Sequence, residues 1–258
     1  MTDLAQLVIE GHVATLTLNR AEARNALSLE LLEALHARVD ELATAEGVVV
    51  VVLTGAGRAF CAGMDLKQVI LDAERGGSGN PELPRRLLAS LGRLTVKLRT
   101  LNCVVVAKIN GAAIGGGCGL ACVCDAVVTH ADATLGFPEV DLGLCPAVVT
   151  PWLVRKIGAG PARAVLLRGG VMSGTRAGEI GIADVVCTDR DHLDAATAEL
   201  VARYEEGGPL ALAATKSLLN DLDGSRNESI VLRGAELSAG VLATDEAQAC
   251  LVARLKGG

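Results

Sequence analysis

Aromatic side chains are nearly absent from this chain, with two Phe, one Tyr and one Trp in 258 residues. Ala, Val and Leu must therefore fill the core. The flat platforms on which single-stranded nucleic-acid binders stack bases are missing. Positive charge is also in deficit: 24 Lys and Arg against 30 Asp and Glu leave a formal net charge of −6. That balance argues against a nucleic-acid partner, and an anionic ligand would need a local basic cluster. Long hydrophobic runs are lacking too. The most apolar stretch, Ile109 to Cys124, is broken by glycines and too short for a comfortable membrane span. The opening Met-Thr-Asp-Leu-Ala-Gln has no basic leader followed by an apolar block. These absences lead to the expectation of a soluble, cytoplasmic protein with no membrane partner.

What is present is a globular composition, 50% hydrophobic and 21% charged. The length suits one large domain or a domain with a helical appendage. Eight cysteines in so apolar a chain read as reduced, buried small hydrophobes and not as a disulfide framework. Cys118, Cys122 and Cys124 lie close in sequence, but their spacing lacks the second paired half of a structural zinc site. His130 is the only histidine nearby, equally plausible as a surface residue. No metal is expected.

Val13–Leu18 alternates as a strand. Ser28 is placed to cap a helix whose Leu32, Leu35, Val39 and Leu42 recur at helical spacing. The run Val48–Leu53 is continuously apolar, as expected of a strand covered on both faces of a parallel sheet, and Cys103–Ile109 reads as a second buried strand. Arg75–Pro84 reads as a mobile surface loop ahead of a helix over Arg85–Thr100. Asn110–Gly119 reads as a glycine-rich turn, with short strands over Ala126–Thr129 and Thr134–Phe137. From Ala147 the pattern is mainly helical apart from Asp184–Cys187, closing with helices near Leu193–Glu205, Leu210–Leu222 and Ile230–Leu255. The expected class is α/β, with a core over residues 1–192 and a C-terminal helical region over 193–258.

Two turns carry candidate chemistry. Gly115-Gly116-Gly117 follows a predicted strand and precedes a helix-like segment. Glycines there let a ligand approach the backbone, and the helix offers unpaired N–H groups to a phosphate or an oxyanion. Three glycines alone fit a plain tight turn equally well. The stretch Ala59–Lys67 follows the Val48 strand in the same manner, so two strand ends could aim two amides at one point. Asp65 could simply cap the next helix. Glu139, after Phe137-Pro138, would by itself read as a cap or a solvated turn residue. Asp141 and Asp125 are the other acids to weigh, Asp141 for the same pocket and Asp125 as a strand anchor. Cys145, beside Pro146, has no histidine close in sequence to activate it and reads as pocket lining.

Four blocks in order resemble the crotonase superfamily, the enoyl-coenzyme A hydratases and isomerases. They are Leu18–Leu27, Ala59–Lys67, Asn110–Asp125 and Phe137–Pro146. The resemblance implies a spiral of ββα units with C-terminal helices that mediate a homotrimer or a dimer of trimers. It implies an acyl-coenzyme A thioester as substrate, with coenzyme A entering as part of it and no permanently bound cofactor. The amides of Met64 and Gly116 would form an oxyanion hole and Glu139 would be the catalytic acid/base. Arg24, Ala62, Asp65, Leu66 and Lys67 would contact coenzyme A.

The chain also departs from that pattern. Many family hydratases carry a second glutamate two residues after the triple glycine, where this chain has Gly119. The segment Leu144–Pro151 likewise replaces a glycine-rich consensus. Together these features resemble bacterial hydratases of branched or carboxylated enoyl thioesters, such as the 3-methylglutaconyl-coenzyme A hydratases of leucine breakdown. Gly119 is then expected to line the pocket and leave room for a substrate branch. Hydration is the first expectation and 3-enoyl to 2-enoyl isomerisation the second. A non-catalytic acyl-coenzyme A binder is the alternative of another class.

Overall fold

The computed structural model describes residues 3–66, 68 and 82–256. The chain opens with a hairpin, β1 (Ala5–Glu10) and β2 (Val13–Leu18), joined through Gly11 at φ 60°. A two-residue link with glycine first is a standard hairpin turn. Sequence reading missed β1 because five of its six residues are partly or fully exposed, so AQLVIE carries no alternation. Helix α1 (Leu29–Thr44) starts where Ser28 Oγ accepts from Leu31 N, and it buries Leu32, Leu35, Val39 and Leu42 as its spacing predicts.

From there the strands come in pairs. β3 (Val50–Gly55) is followed by β4 (Ala59–Cys61), β5 (Val104–Ile109) by β6 (Ala112–Ile114), and β7 (Ala126–His130) by β8 (Thr134–Gly136). The first member of each pair joins a six-stranded sheet and the second joins a four-stranded sheet. Adding β9 (Val171–Ser173) and β10 (Val185–Cys187), the orders are β1-β2-β3-β5-β7-β10 and β4-β6-β8-β9. Helices α2 (Glu82–Thr100) and α3 (Gly116–Val123) make the returns between pairs. This is the expected spiral of ββα turns.

The continuous valine runs follow from the layers. Val51 and Leu53 of β3 face the main core with Val105, Ala107 and Ile109 of β5. Val50 and Val52 face the opposite side with Val104 and Val106. Helix α7 (Leu193–Glu205) covers that second side with Leu193 and Val201. Both faces of these central strands are thus dry along the valine runs, and Lys108 near the end of β5 reaches out to pair with Asp194.

After β8 the chain forms α4 (Thr150–Ile157), α5 (Ala159–Arg168) and α6 (Gly174–Glu179), and after α7 it forms α8 (Pro209–Leu222). The single helix expected over Ile230–Leu255 is two: α9 (Glu228–Leu242) and α10 (Asp245–Lys256). Thr244 interrupts it, its Oγ1 accepting from Ala247 N. Helix α9 packs Val231, Ala235 and Ala239 into the main core, and α10 packs Ala247 and Leu251 against Leu144 and Leu242. The helices after residue 192 therefore wall the core of the same chain. Helix α2 begins at Glu82, three residues earlier than expected, and the rest of the loop expected over Arg75–Pro84 lies outside the described residues. Among the described residues no helix is long and apolar enough to cross a membrane.

The glycine-rich turn expected over Asn110–Gly119 contains β6 and the first turns of α3. Pairing with β4 and β8 overrides the low strand propensity of Ala-Ala-Ile.

One buried side chain ties the early turns together. Asn25, fully buried at φ 57°, donates from Nδ2 to the carbonyls of Ala56, Ala59 and Phe60, and its Oδ1 accepts from Arg20 N. It clamps the Arg20–Leu27 turn to the start of β4. Replacing it leaves buried carbonyls without partners. We expect Asn25→Ala to lose about 2–4 kcal/mol in urea unfolding. A loss under about 1 kcal/mol would remove Asn25 from this role.

Candidate active site

In the small sheet, β4, β6 and β8 run parallel and adjacent. Their C-terminal ends therefore lie side by side, where open parallel sheets place ligands. Met64 follows the end of β4, Gly116 follows β6, and Glu139 follows β8. Sheet register brings the three to one end of the sheet.

The first two turns touch. Gly63 adopts φ 88°, and a Cβ on it would stand 2.7 Å from the carbonyl oxygen of Ile114 and 3.8 Å from the amide of Gly116. Only glycine permits that approach. On either side of Met64 the backbone is engaged with Leu27: Leu27 N donates to Gly63 O at 2.7 Å and Asp65 N donates to Leu27 O at 3.0 Å. Backbone groups of an extended segment alternate in direction, so the Met64 N–H faces away from Leu27. Gly116 opens α3, where the first amides have no acceptor within the helix. Neither amide has a hydrogen-bond acceptor among the described residues.

Glu139 leads a short 3-10 turn, its carbonyl accepting from Leu142 N at 3.0 Å and Leu144 N at 2.8 Å. Its carboxylate reaches back across the triple glycine. A Cβ on Gly115 would meet Oε1 at 2.7 Å, so Gly115 makes room for the acid, and it does so at φ 53°. Oε2 is buried without a partner. Burial pushes this carboxyl up to about 7, offset in part by the residue's own backbone amide. A group balanced there can both accept and return a proton near neutral pH.

These groups open on a cleft of about 740 Å³. Its walls are mainly apolar: Leu87, Leu88 and Leu91 of α2, Leu142 and Leu144, Val148 and Val149, and Leu242 of α9. Ser238 also lines it, but its hydroxyl is committed, donating to Cys145 O at 2.7 Å and accepting from Ala147 N at 3.2 Å. Cys145 is half-buried in the wall, and burial raises its thiol above the usual range, so it lines the cleft as a neutral group. Low dielectric makes two free amides and one carboxyl far stronger here than in water.

The remaining expected residues distribute differently. Ala62 and Leu66 line the cleft. Arg24 is exposed at φ 51°, with its carbonyl accepting from Ala62 N. Asp65 spends its carboxylate on Arg20, at 2.6 Å, and on Gln68 N. Lys67 lies outside the described residues. Gly119 is a correction. It was expected to line the cleft and leave room for a substrate branch, yet it is buried against Val149, whose Cγ1 would sit 2.1 Å from a Cβ placed on Gly119. Val149 occupies the space a side chain at Gly119 would need.

Asp141 also turns away from the cleft. Its Oδ2 accepts from Gly170 N at 2.8 Å and fastens the Glu139 turn to the β8–β9 connection. Asp125 anchors a strand, accepting from Val105 N and pairing with Arg99 and Lys216. His130 is buried in β7, not superficial. Cys118, Cys122 and Cys124 are buried in or beside α3, and burial pushes the Cys124 thiol up to about 12. Among the described residues no group of three or more His, Cys, Asp or Glu could hold a metal. Sequence reading missed Val149, which could be found only once the fold set it against Gly119.

Comparison with known proteins agrees with the geometry. The family model for enoyl-CoA hydratase/isomerase matches residues 8–249. The chain belongs to the enoyl-CoA hydratase/isomerase family. A Thermus thermophilus relative is 38% identical over 217 residues, 84% of each chain. The 2,3-dehydroadipyl-CoA hydratase of Escherichia coli is 34% identical over 219 residues, 84% of this chain and 82% of that one. An enoyl-CoA hydratase structure from Mycobacterium avium superposes with a TM-score of 0.84 at 31% identity, covering 100% of this chain and 98% of the other. The protein is thus an enzyme of the hydratase/isomerase type.

Burial of Glu139 has a stability cost whose sign is fixed. The folded chain holds this proton up to about pH 7, whereas an unfolded glutamate releases it near 4.5. Between those values the native state binds more protons, so this group's contribution falls as pH rises and levels off above about 7. Glu139→Gln is always neutral. Its stability advantage over wild type should grow from pH 5 to pH 8 by roughly 1–3 kcal/mol, measured by chemical unfolding at both values. A difference that does not change with pH would contradict the buried, raised carboxyl.

Proposed function

We propose that this enzyme adds water to a short or branched 2-enoyl thioester of coenzyme A, using Glu139 as its single acid/base. The observation that carries the reading is the buried carboxyl of Glu139, its Oε2 without a partner, beside two unpaired amides in an apolar cleft. The thioester oxygen accepts from Met64 N–H and Gly116 N–H. Ionised Glu139 takes a proton from water as its oxygen attacks C3. Negative charge passes through C2 to the thioester oxygen, where the fixed amides stabilise the enolate without reorganising. Neutral Glu139 then returns the proton to C2.

Ala62, Asp65 and Leu66 would contact coenzyme A, with Arg24 and Lys67 as its phosphate partners. Coenzyme A enters only as part of the substrate. No Lys, Arg or His is among the described residues that line the cleft. That lining favours an uncharged acyl group over a carboxylated one such as 3-methylglutaconyl. Exposed Leu210, Leu218 and Leu222 on α8 suit self-association, as a homotrimer or a dimer of trimers. Free cysteines fit a reducing, cytoplasmic setting.

The same carboxyl could move a double bond by taking a proton at C2 and returning it at C4. The experiment is mass spectrometry of crotonyl, 3-methylglutaconyl and 3-hexenoyl thioesters after incubation. A gain of one water is expected, falling about 100- to 10,000-fold in Glu139→Gln. Conversion of the 3-hexenoyl to the 2-hexenoyl form with no mass gain would make the enzyme an isomerase. Binding that protects against heat while leaving every thioester unchanged would make it a silent acyl-coenzyme A binder.

A further inference from the structure

The two free amides are held in different ways. Gly116 N–H belongs to the first turn of α3, whose ladder starts beside it with Gly119 N donating to Gly115 O at 2.9 Å. Met64 lies outside the strands of the small sheet and is held to Leu27 by an isolated parallel bridge. Gly63, which precedes the Met64 amide, brings less backbone restraint than any other residue type. The direction of that amide therefore rests on the bridge and on what keeps the bridge in register. Arg20 braces it. Its Nη1 donates to Ala26 O at 3.2 Å, one residue before Leu27, and to Asp65 Oδ2 at 2.6 Å, one residue after Met64. One nitrogen thus joins both sides of the bridge.

We propose that Arg20 and Asp65 are positioning residues for the Met64 amide, their ion pair fixing the direction in which it meets the thioester oxygen. The inference rests on the reading of Met64 N–H and Gly116 N–H as the donors to that oxygen. The pair is built to hold a position. The Asp65 side chain is 10% exposed and that of Arg20 25%, so solvent screens their charge-assisted bond less than it does a surface pair. The second oxygen of Asp65 accepts from Gln68 N at 3.2 Å, so both oxygens are engaged. Arg20 is itself held at its backbone, N donating to Asn25 Oδ1 and O accepting from Asn25 N, each at 2.9 Å. The brace is therefore anchored in the Asn25 clamp and links that clamp to the active site.

Two measurements test it. Infrared difference spectra of a bound butyryl thioester, isotopically labelled at its carbonyl, read how strongly the amides polarise that bond. Wild type should shift the stretch to lower wavenumber than in water, and Asp65→Asn and Arg20→Met should each lose part of the shift. Asparagine can still accept from Gln68 N, so that variant removes the pairing and keeps the cap. With crotonyl thioester, each variant should lose about 10- to 100-fold in kcat, the scale of a misplacement of about 1 Å, with KM changed by less than about threefold. The double variant should lose no more than the worse single one. Should Asp65→Asn not fold, Asp65→Ser, which also caps a helix, is read in its place. A full carbonyl shift in the variants overturns the proposal, whether kcat is kept or KM alone rises. A wild-type carbonyl that binds without shifting fails the oxyanion reading, and the proposal falls with it. If wild type turns over no enoyl thioester yet shifts the carbonyl, hydration fails and the loss of shift alone decides the proposal.

Discussion

Parallel pairing of β4, β6 and β8 is the constraint on which the active site depends. Each strand is only three residues long, and each is delivered to the small sheet by a longer strand of the large one. The large sheet has dry cores on both faces, so its register is expensive to shift. Through the short connections that register is passed to the small sheet. Backbone hydrogen bonds hold the turns that carry Met64 and Glu139, and Met64 also packs against the core. Gly63 and Gly115 give the closeness that register alone cannot, one for the amides and one for the carboxyl.

The electrostatics of the cleft follow from what surrounds Glu139. Leucines and valines remove water, and Oε2 finds no partner in the fold. A buried carboxyl with one unpaired oxygen opposes folding. Asp141, two residues on, shows the contrast: the same type of side chain is spent on Gly170 N and serves only to hold the turn. Val149 completes the asymmetry. By filling the space beside Gly119 it leaves an apolar wall there.

Much of this was legible before the fold was known. Valine runs around Val50 and Val105 announced strands buried on both faces, because consecutive side chains of a strand point to opposite faces and all of these are apolar. The two small-residue turns after them pointed to ligand-facing amides, and the family pattern singled out Glu139. Other features were hidden. The strand β6 was concealed because its pairing energy is tertiary while Ala-Ala-Ile has little propensity of its own. The facing of Gly119 toward Val149 was invisible because a glycine carries no sign of what occupies its missing side chain. Thr244 ended a helix that hydrophobic spacing alone would have continued, since capping competes with periodicity only locally. The wall that α9 gives the cleft depended on contacts between residues about a hundred apart in the chain, such as Ser238 with Cys145.

The central claim is that three strand ends build a site for a thioester enolate, with Glu139 moving the proton. It can be tested apart from hydration. A saturated butyryl thioester incubated in deuterium oxide offers only its C2 protons to the site, and nuclear magnetic resonance reads their exchange. The account predicts deuterium entering at C2 with wild type and failing to enter with Glu139→Gln. Exchange that persists in the variant would assign the proton transfer to another group, and a thioester that binds without exchange would contradict the site itself.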